Sequence, residues 1–509
     1  MTVPCMRCSR DTKILRPEQC VVWDGEPCFA CAEDIELELA IKELEDQIER
    51  MYIKRRALRT IMNENHDQLI SKFPPEIASE IFIYYAPPHK SFVKDKKYRS
   101  TPLYLGAVCR KWRQLAWRTS QLWPDIMVEF DPMEKYSTQI LAERLERSAN
   151  LPLTISLSPF SHWKRAIDDG IYLEVINILN RHSSHWHTLR IGLPAHQLHR
   201  LCGSLGGSML YQLILQPMDE STEHSDAYDV ATFSMKCKPT PTRLKLAKYR
   251  LRNVDIVWNC LTHVALESIA VDECLELMRR APLLEALALL QIIRSSGAFP
   301  APATRIILPQ LHRLAINHIA DNSAVAEALD SMCAPSLKHW NHWPSRDHSS
   351  VNNMISFIEH SSFSLKTFDL MGNKDIYYQV HRILHCLSSL EFLTLRFLLR
   401  DQSPNDELLD RLCTSDESSP FLPRLRSLEL CLQSMFPWES LPRIFSSPTQ
   451  QSLRVKVNLA TDVRIPDEAA EKLLGLVHAG FNLSILRDGK VDVLAEYRKK
   501  RRLSQTTYQ

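Results

Sequence analysis

The chain has 509 residues, too many for one hydrophobic core, so we expect two to four structural units. Apolar residues make up 45% of the chain and charged residues 24%, which is the balance of a globular protein and not of a disordered one. The 62 basic and 60 acidic residues leave a formal charge of only +2, so composition predicts no general attraction to nucleic acid or to an anionic membrane.

The sequence has no apolar run long enough for a secretory signal or a membrane span, so we expect no membrane partner. The 14 cysteines would then lie in a reducing compartment, cytoplasmic or nuclear, where burial or metal binding is expected rather than disulfide formation. Residues 491–509 are predicted to form a flexible basic tail. Its Lys and Arg run at 498–502 is either a nuclear address or simply solvated charge.

Residues 1–34 form a cysteine-rich leader. Two pairs of cysteines are each separated by two residues, namely Cys5 with Cys8 and Cys28 with Cys31. Four thiolates at this spacing can close a tetrahedral site, which predicts a structural zinc ion that orders a segment too small to fold alone. Because all four ligands would come from the protein, such a site has no catalytic role. The alternative is a partly disordered leader with reactive cysteines.

Residues 35–70 predict a coiled-coil helix. Apolar residues recur at alternating steps of four and three, which is heptad spacing. The seam consists of Leu37, Ile41, Leu44, Ile48, Met51, Leu58, Met62 and Leu69. Arg55 and Asn65 interrupt it. A helix of this kind either pairs with a second copy of the chain, giving a homodimer, or folds back on the next domain as a long amphipathic helix.

Residues 71–130 predict a small helical domain. Pro75 and Glu76 suit the first turn of a helix that begins after Phe73. Its apolar face is formed by Ile77, Ile81, Phe82 and Tyr85. After Pro102 one further amphipathic helix is predicted, with Leu105, Val108, Cys109, Trp112, Leu115 and Ala116 on one face. Short helices of this size leave an apolar face to be covered, either by the coiled-coil helix or by another protein.

This pattern resembles the F-box of the type abundant in mushroom-forming fungi. The resemblance runs from Phe73 through Ile77, Ile81 and Phe82, then, after a long basic loop, from Leu103 to Trp123. In that family a cysteine-containing leader and a coiled coil often precede the box. The resemblance implies binding to a Skp-type adaptor, which bridges to the cullin scaffold of a ubiquitin ligase. By position, the residues that would form or support this contact are Pro75, Ile77, Ile81, Leu105, Val108, Trp112 and Leu115.

Residues 150–490 contain a degenerate repeat, in which a strand-like core alternates with a helix-like stretch. The core has apolar residues at its first, fourth and sixth positions, and it starts at Trp186, Leu210, Leu246, Leu261, Leu284, Leu311, Leu365, Leu390 and Leu425, with a weaker copy at Leu337. One such unit cannot bury its apolar side alone, whereas stacked neighbours share a core. The pattern resembles the leucine-rich repeats that commonly follow an F-box. Among the regular copies only Asn373 provides the family's usual asparagine, so the array is predicted to be irregular.

In such a solenoid the residues that alternate with the buried leucines would point onto the concave face. They are Arg250, His263, Glu267, Arg313, Asn317, His339, Asn341, Asp369, Thr394, Arg396 and Glu429. Mixed charges and hydrogen-bonding groups on a broad face suit protein recognition. The alternative is an ordinary solvated surface.

No catalytic residue is predicted. The glycines at 203, 206 and 207 lack the Lys and Ser or Thr of a phosphate loop, and His381 and His385 lack the glutamate of a metalloprotease helix. His185 and His187 have no evident third ligand. Nucleic-acid binding is not expected either, because basic and aromatic residues do not cluster into a platform.

The sequence therefore predicts a mixed α/β protein, in which a coiled coil and F-box helices precede an irregular leucine-rich repeat solenoid. The predicted function is that of a non-enzymatic substrate-recognition adaptor in a Skp/cullin-type ubiquitin ligase, with the box bound to the adaptor and the repeat bound to an unknown target protein. The alternative is a dimeric coiled-coil interaction scaffold without a ligase role.

Overall fold

The chain separates into two compact units, residues 1–122 and 123–509. The structure, a computed structural model, describes residues 3–4, 11–12, 29–66, 68–86, 101–130, 138–159, 169–216, 231–317, 322–343, 351–372, 374–397, 407–413, 421–432, 438–445, 452–460 and 463–506. None of the helices in these ranges combines the length and the apolar character needed to cross a membrane.

The described part of the first unit is mainly helical. A short antiparallel pair, β1 (Val3–Pro4) and β2 (Asp11–Thr12), comes first. It is followed by α1 (Phe29–His66), α2 (Gln68–Lys72), α3 (Pro75–Tyr85), α4 (Thr101–Val108) and α5 (Arg110–Arg118). The 38 residues of α1 would extend about 57 Å at the usual rise of 1.5 Å per residue.

The apolar seam of α1 lies open. Leu37, Ile41, Leu44, Ile48 and Met51 are all exposed, as are Leu58 and Met62 further along the helix. Leu69, the last residue of the seam, lies on α2 and is half-buried. No described part of this chain covers the seven seam residues on α1, so the structure does not show α1 folded back on the next domain. Pairing with a second copy stays a prediction.

Helices α3, α4 and α5 pack together through small and aromatic residues. Ala78 and Phe82 of α3 are buried, and the Phe82 ring lies 4.8 Å from the Trp112 ring of α5. The α4 and α5 helices approach closely at Gly106, because the Trp117 ring occupies the space that a β-carbon at this position would need. Arg113 also donates to the Gly106 carbonyl oxygen at 2.8 Å.

The segment after Pro102 forms two helices and not the single one predicted. The chain breaks at Cys109, whose backbone is extended (φ −155°, ψ 174°). The Cys109 sulfur accepts a hydrogen bond from the Trp112 amide at 3.4 Å, which caps the start of α5. Periodicity alone missed the break because apolar residues continue on both sides of it.

The second unit contains one 15-stranded sheet in which every pairing is parallel except the last. Its strands are β3 (Asp125–Phe130), β4 (Leu153–Pro159), β5 (Trp186–Ile191), β6 (Gln212–Leu215), β8 (Arg243–Ala247), β10 (His263–Glu267), β11 (Ala286–Leu290), β13 (Arg313–Asn317), β15 (His339–Trp343), β16 (Thr367–Gly372), β17 (Phe392–Phe397), β18 (Ser427–Leu432), β19 (Arg454–Leu459), β20 (Leu483–Arg487) and β21 (Val491–Asp492). Short pairs join β7 (Phe233–Ser234) to β9 (Val254–Asp255) and β12 (Ile306–Ile307) to β14 (Met332–Cys333). The sheet's strands follow chain order.

Helices connect many of the neighbouring strands. They are α6 (Thr138–Arg147), α7 (Asp169–Arg181), α8 (Val271–Arg280), α9 (Asn322–Ser331), α10 (Val351–Ser361), α11 (Lys374–His385), α12 (Glu407–Cys413), α13 (Leu441–Ile444), α14 (Asp467–His478) and α15 (Val493–Thr506). From α8 onward each helix contacts the next, so the helices form a second layer. The protein is therefore a mixed α/β protein with a large parallel sheet.

One continuous core lies between the sheet and the helices. In the six strands of the large sheet from β10 to β17, every second side chain is buried and the others are half-buried or exposed. Leu261, Leu284, Leu311, Leu365 and Leu390, the first apolar residues of the predicted motifs, are also fully buried. Because side chains alternate between the two faces of a strand, this pattern leaves one face of the sheet for contact with solvent or a partner.

The predicted strand at residues 246–251 is wrong. The strand is β8, which covers Arg243–Ala247 and buries Leu244 and Leu246. Arg250 therefore lies beyond the strand and not on the predicted recognition face. Its Nη1 atom is 3.8 Å from Oε2 of the buried Glu273 on α8.

The sheet also begins before the first predicted copy of the motif, which starts at Trp186. Asp125–Phe130, assigned above to the helical box, forms the first strand, and Leu153–Pro159 forms the second. At the other end, the tail predicted to be flexible begins with β21 and α15. Burial of Val493 and Leu494 attaches α15 to the sheet unit.

Asp272, in the first turn of α8, holds the loop that follows β11. Its carboxylate accepts hydrogen bonds from the amides of Ser296 at 2.8 Å, Ala298 at 2.8 Å and Phe299 at 3.1 Å. Burial alone would raise the pKa of this carboxyl, but the hydrogen bonds from these residues outweigh burial and hold the pKa below its ordinary value of 3.8.

Replacing Asp272 by asparagine is expected to lower the free energy of unfolding by about 2 kcal/mol, because the new amide group directs a donor at other donors. A lowered folded-state pKa stabilises the fold above pH 3.8 and loses that contribution as the pH falls below it. The difference in the free energy of unfolding between the wild type and Asp272→Asn should therefore become smaller as the pH falls. Urea unfolding at pH 6.5 and near pH 3.5 would measure it. Asp255→Asn, which removes a half-exposed partner of Lys238, serves as the control and should cost far less.

Candidate functional site

The candidate site is the sheet face opposite the helices, which we call the outer face. Strand register aligns its side chains in rows across the sheet. The first row includes Gln212, Arg243, His263, Ala286, Arg313, His339, Thr367 and Phe392. The central row includes Ile214, Lys245, Ala265, Ala288, Ala315, Asn341, Asp369, Thr394, Glu429 and Lys456.

A depression of about 440 Å³, which we call the trough, crosses the first part of the outer face. Residues from β6, β8, β10, β11, β13 and β15 line it. Ala265, Ala288 and Ala315 are neighbours in the central row, and their small side chains leave the floor low. At about 4.8 Å between strands, the trough extends about 24 Å across the sheet.

The wall of the trough is basic. Burial lowers the pKa of His263, and Arg243 and Arg313 lower it further, although Glu285 opposes them. Burial, followed by Arg313 and neighbouring lysines, likewise lowers the pKa of His339. Burial and the neighbouring cations therefore favour the neutral form of both imidazoles. His263 lies between Arg243 and Arg313 in the first row, and His339 lies on the other side of Arg313.

A second polar group lies further along the outer face, over β15 to β19. Arg396 donates to both carboxylate oxygens of Asp369, at 3.1 and 3.3 Å. Trp343 donates to the same carboxylate at 3.4 Å. On the neighbouring strands, Glu429 accepts hydrogen bonds from Lys456 at 2.9 Å and from Asn458. The charges in this group are paired with each other, whereas Arg243 and Arg313 of the trough have no carboxylate within ion-pair distance among the described residues.

The structure brings most of the predicted recognition residues onto the outer face. His263, Glu267, Arg313, Asn317, His339, Asn341, Asp369, Thr394, Arg396 and Glu429 all occupy outward positions on their strands and are half-buried or exposed. Arg250 is the exception, as described above. Arg243 and Lys245 were missed because the strand that carries them was placed several residues too late.

The residues assigned to adaptor binding divide into two groups. Pro75, Ile77, Ile81 and Val108 are exposed, so they are available for contact. Leu105 is buried, whereas Trp112 and Leu115 are half-buried and pack within the helical unit. Tyr84, which the sequence reading did not select, is 90% exposed on the same helix as Ile77 and Ile81.

The predicted zinc ligands lie largely outside the described residues. Cys5, Cys8 and Cys28 are not described, and Cys31 is described only as part of the backbone of α1. Within the described ranges, no three or more His, Cys, Asp or Glu side chains form a group suited to a metal ion. Zinc binding by the leader stays a prediction.

Two of the histidines considered above for metal binding or catalysis lie against other side chains of the sheet unit. His381 lies on α11, with its Nδ1 3.5 Å from a carboxylate oxygen of Glu407 on α12. His187 stacks on Tyr211 at 5.0 Å between ring centroids.

No protein-family model matches the chain, and no curated protein matches it.

Proposed function

We propose that the protein is a substrate-recognition adaptor of a Skp/cullin-type ubiquitin ligase. In this proposal α3 to α5 form an F-box-like domain that binds the Skp-type adaptor. The second unit is an irregular leucine-rich repeat solenoid whose outer face binds the target protein. Separate subunits supply the ubiquitin chemistry, and we assign no catalytic role to this chain.

The observation that carries the proposal is an apolar stripe on α3 that the helical unit does not cover. Ile77, Ile81 and Tyr84 are 47%, 39% and 90% exposed and recur at steps of four and three, so they lie on one side of the helix. The adjacent side of the helix buries Ala78 and Phe82. A helix whose apolar surface extends well beyond its packed side needs a second packing partner.

The local geometry of the sheet supports the solenoid. Lys248, Ser268 and Gln291 each directly follow a strand and each have a left-handed backbone, with φ of 62°, 55° and 59°. The amide of each also donates to the last residue of the next strand, at 2.8 to 2.9 Å. Recurrence of the same turn at three successive strands is typical of a repeated structural unit.

The adaptor contact is tested by capture on an immobilised Skp-type adaptor. We expect the wild-type chain to be retained and Ile77→Asp and Ile81→Asp each to lose most of the binding, because a carboxylate would be desolvated in an apolar interface. Leu205→Asp is the matched control, since Leu205 is 86% exposed in the second unit and the same change there should have no effect.

Equal retention of all four proteins would contradict the proposed docking surface, and no retention of the wild type would contradict the adaptor role. Trp112→Ala is less informative, because Trp112 packs on Phe82 and its removal would also disturb the helical unit. Ile77 and Ile81 are exposed, so their substitution tests docking without disturbing the packing of the helical unit.

The second candidate function is a dimeric scaffold, and the uncovered seam of α1 favours it. Charged residues flank a long apolar stripe that no described residue of the chain buries. Ile41 and Ile48 occupy alternate seam positions, whereas Leu37, Leu44 and Leu58 occupy the others. Branched residues at the first seam position with leucine at the second favour parallel dimers. Dimerisation is compatible with the adaptor role, so it becomes an alternative only if adaptor binding fails.

A further inference from the structure

The trough on the outer face has a concentration of positive charge along one wall. Arg243 and Arg313 belong to the same row and are three strands apart, with His263 and Ala286 between them. At about 4.8 Å per strand, their backbones are about 14 Å apart. The long side chains of two arginines at this separation can reach the same bound segment from both sides of the gap that Ala286 leaves.

These charges are not neutralised within the described part of the chain. Among the described residues, no carboxylate lies within ion-pair distance of the guanidinium groups of Arg243 or Arg313, although the Arg243 guanidinium lies 5.5 Å from the centroid of the Tyr211 ring. Lys245, in the next row, pairs with Glu267 at 2.9 Å and so contributes less. This differs from the second polar group of the outer face, where Asp369 already binds Arg396.

The shape of the trough fits an extended chain. Its length of about 24 Å corresponds to about seven residues of extended polypeptide. The volume of about 440 Å³ spread over six strands makes it shallow, and the alanine floor offers apolar contact without projecting side chains. A shallow channel with apolar floor and charged wall can hold a peptide backbone and its side-chain methylenes while the wall binds the side-chain ends.

We propose that the trough binds an extended acidic segment of a partner protein, with aspartate or glutamate side chains on Arg243 and Arg313 and the backbone over Ala265, Ala288 and Ala315. Arginine presents paired N–H donors whose spacing matches the two oxygens of a carboxylate. The proposal rests on the proposed function only in naming this partner as the recruited target.

The residues that line the trough favour a peptide over a nucleic acid. Binding of single strands usually depends on aromatic side chains on which bases stack, and no Phe, Tyr or Trp is among the residues that line this trough. The alanine floor and the neutral imidazoles of His263 and His339 instead suit a chain of modest charge density.

The test is fluorescence anisotropy with the full-length chain and a labelled eight-residue peptide of alternating glutamate and serine. The glutamate peptide should bind, a matched glutamine peptide should bind at least tenfold more weakly, and added salt should weaken binding because the contacts are near the surface. The double variant Arg243→Ala/Arg313→Ala should lose on the order of tenfold or more in affinity.

The matched control is Arg426→Ala/Arg454→Ala, which removes the same two charges outside the trough. Arg454 lies in the first row on β19, and Arg426 just precedes β18 at the same edge of the sheet. This control should bind the glutamate peptide like the wild type. A second variant, Ala288→Glu, places a carboxylate on the floor without removing any arginine and should also abolish binding.

Three outcomes would overturn the proposal. They are equal affinity for the glutamate and glutamine peptides, an equal loss in the control pair, and a preference of more than tenfold for a phosphoserine peptide or for oligothymidylate, which would reassign the trough to phosphate groups. Capture by the Skp-type adaptor depends on α3 and should be unchanged in the trough variants. Failure of peptide binding and failure of the adaptor role are therefore distinguishable.

Discussion

Replacing Trp340 by alanine is expected to lower the free energy of unfolding of the sheet unit by about 4 kcal/mol. Trp340 is fully buried on the inner side of β15. Its ring centroid lies 5.1 Å from that of Phe368, 5.3 Å from Phe357 and 6.3 Å from Phe363. Alanine would leave a large cavity and would also remove these edge and tilted ring contacts, since a close-packed core relaxes only partly around a deletion.

Trp343→Ala is the matched control, because it removes the same side chain from the other face of the same strand. Trp343 is half-buried and contributes a 3.4 Å hydrogen bond to Asp369 and a position beneath Arg396. Loss of the Trp343 side chain should lower the free energy of unfolding by about 1 kcal/mol. Chemical unfolding followed by far-ultraviolet circular dichroism measures both values. Equal losses in the two variants would contradict the assignment of inner and outer faces.

Replacing both Ile41 and Ile48 by aspartate is expected to halve the molar mass of the full-length chain in solution. Both are exposed on the single chain, and heptad spacing places them at equivalent seam positions of α1. In a parallel pair each would face its own copy, so the double variant would bring buried carboxylates together in pairs. Desolvation and like-charge repulsion then oppose association. Light scattering coupled to size exclusion measures the mass directly.

Ile53→Asp separates the seam from general hydrophobicity. Ile53 lies on the same helix and is 56% exposed, but it is two residues past Met51 and therefore outside the seam. This variant should keep the wild-type mass. A wild-type chain that is monomeric at micromolar concentration, or an equal effect of Ile53→Asp, would contradict pairing through the seam.

Strands were predictable from the sequence where apolar residues occupy every second position, because those residues then form the buried face. In β10, β11 and β13, buried apolar side chains on one face alternate with side chains on the other that are alanine or polar, except for Leu290. Since the period of a strand is two, such segments admit one register only. Helices α8 to α12 agree with the helix-like stretches expected between the strand cores, because their apolar residues repeat at helical spacing.

The predicted position of a strand was wrong where two neighbouring apolar runs both match the motif. Around β8, both Leu244 with Leu246 and Tyr249 with Leu251 are buried, so the six-residue pattern fits at two places. The strand is the run with Leu244 and Leu246, because Arg243 pairs with Gln212 on one side and with His263 on the other. Three strands were missed because the first apolar residue of the motif is absent, with Pro152 in its place before β4, Ser452 before β19 and Gly480 before β20. Strand β3 fits the motif but lies in the segment assigned to the helical box.

The trough could not be predicted from the sequence. Its residues come from six strands spread over more than one hundred positions, and their alignment into rows depends on pairing across the sheet. Alanines at 265, 288 and 315 look unremarkable in a linear sequence. They form a continuous floor only because parallel pairing in chain order places them side by side.

The central claim, that the chain joins a Skp/cullin assembly through α3, is tested most directly by reconstitution with purified components. Size exclusion with light scattering is applied to the full-length chain mixed with a Skp-type adaptor and its cullin scaffold. We predict one species that contains all three proteins, and its loss for the double variant Ile77→Asp/Ile81→Asp. Elution of the wild-type chain apart from a preformed adaptor and cullin complex would contradict the claim.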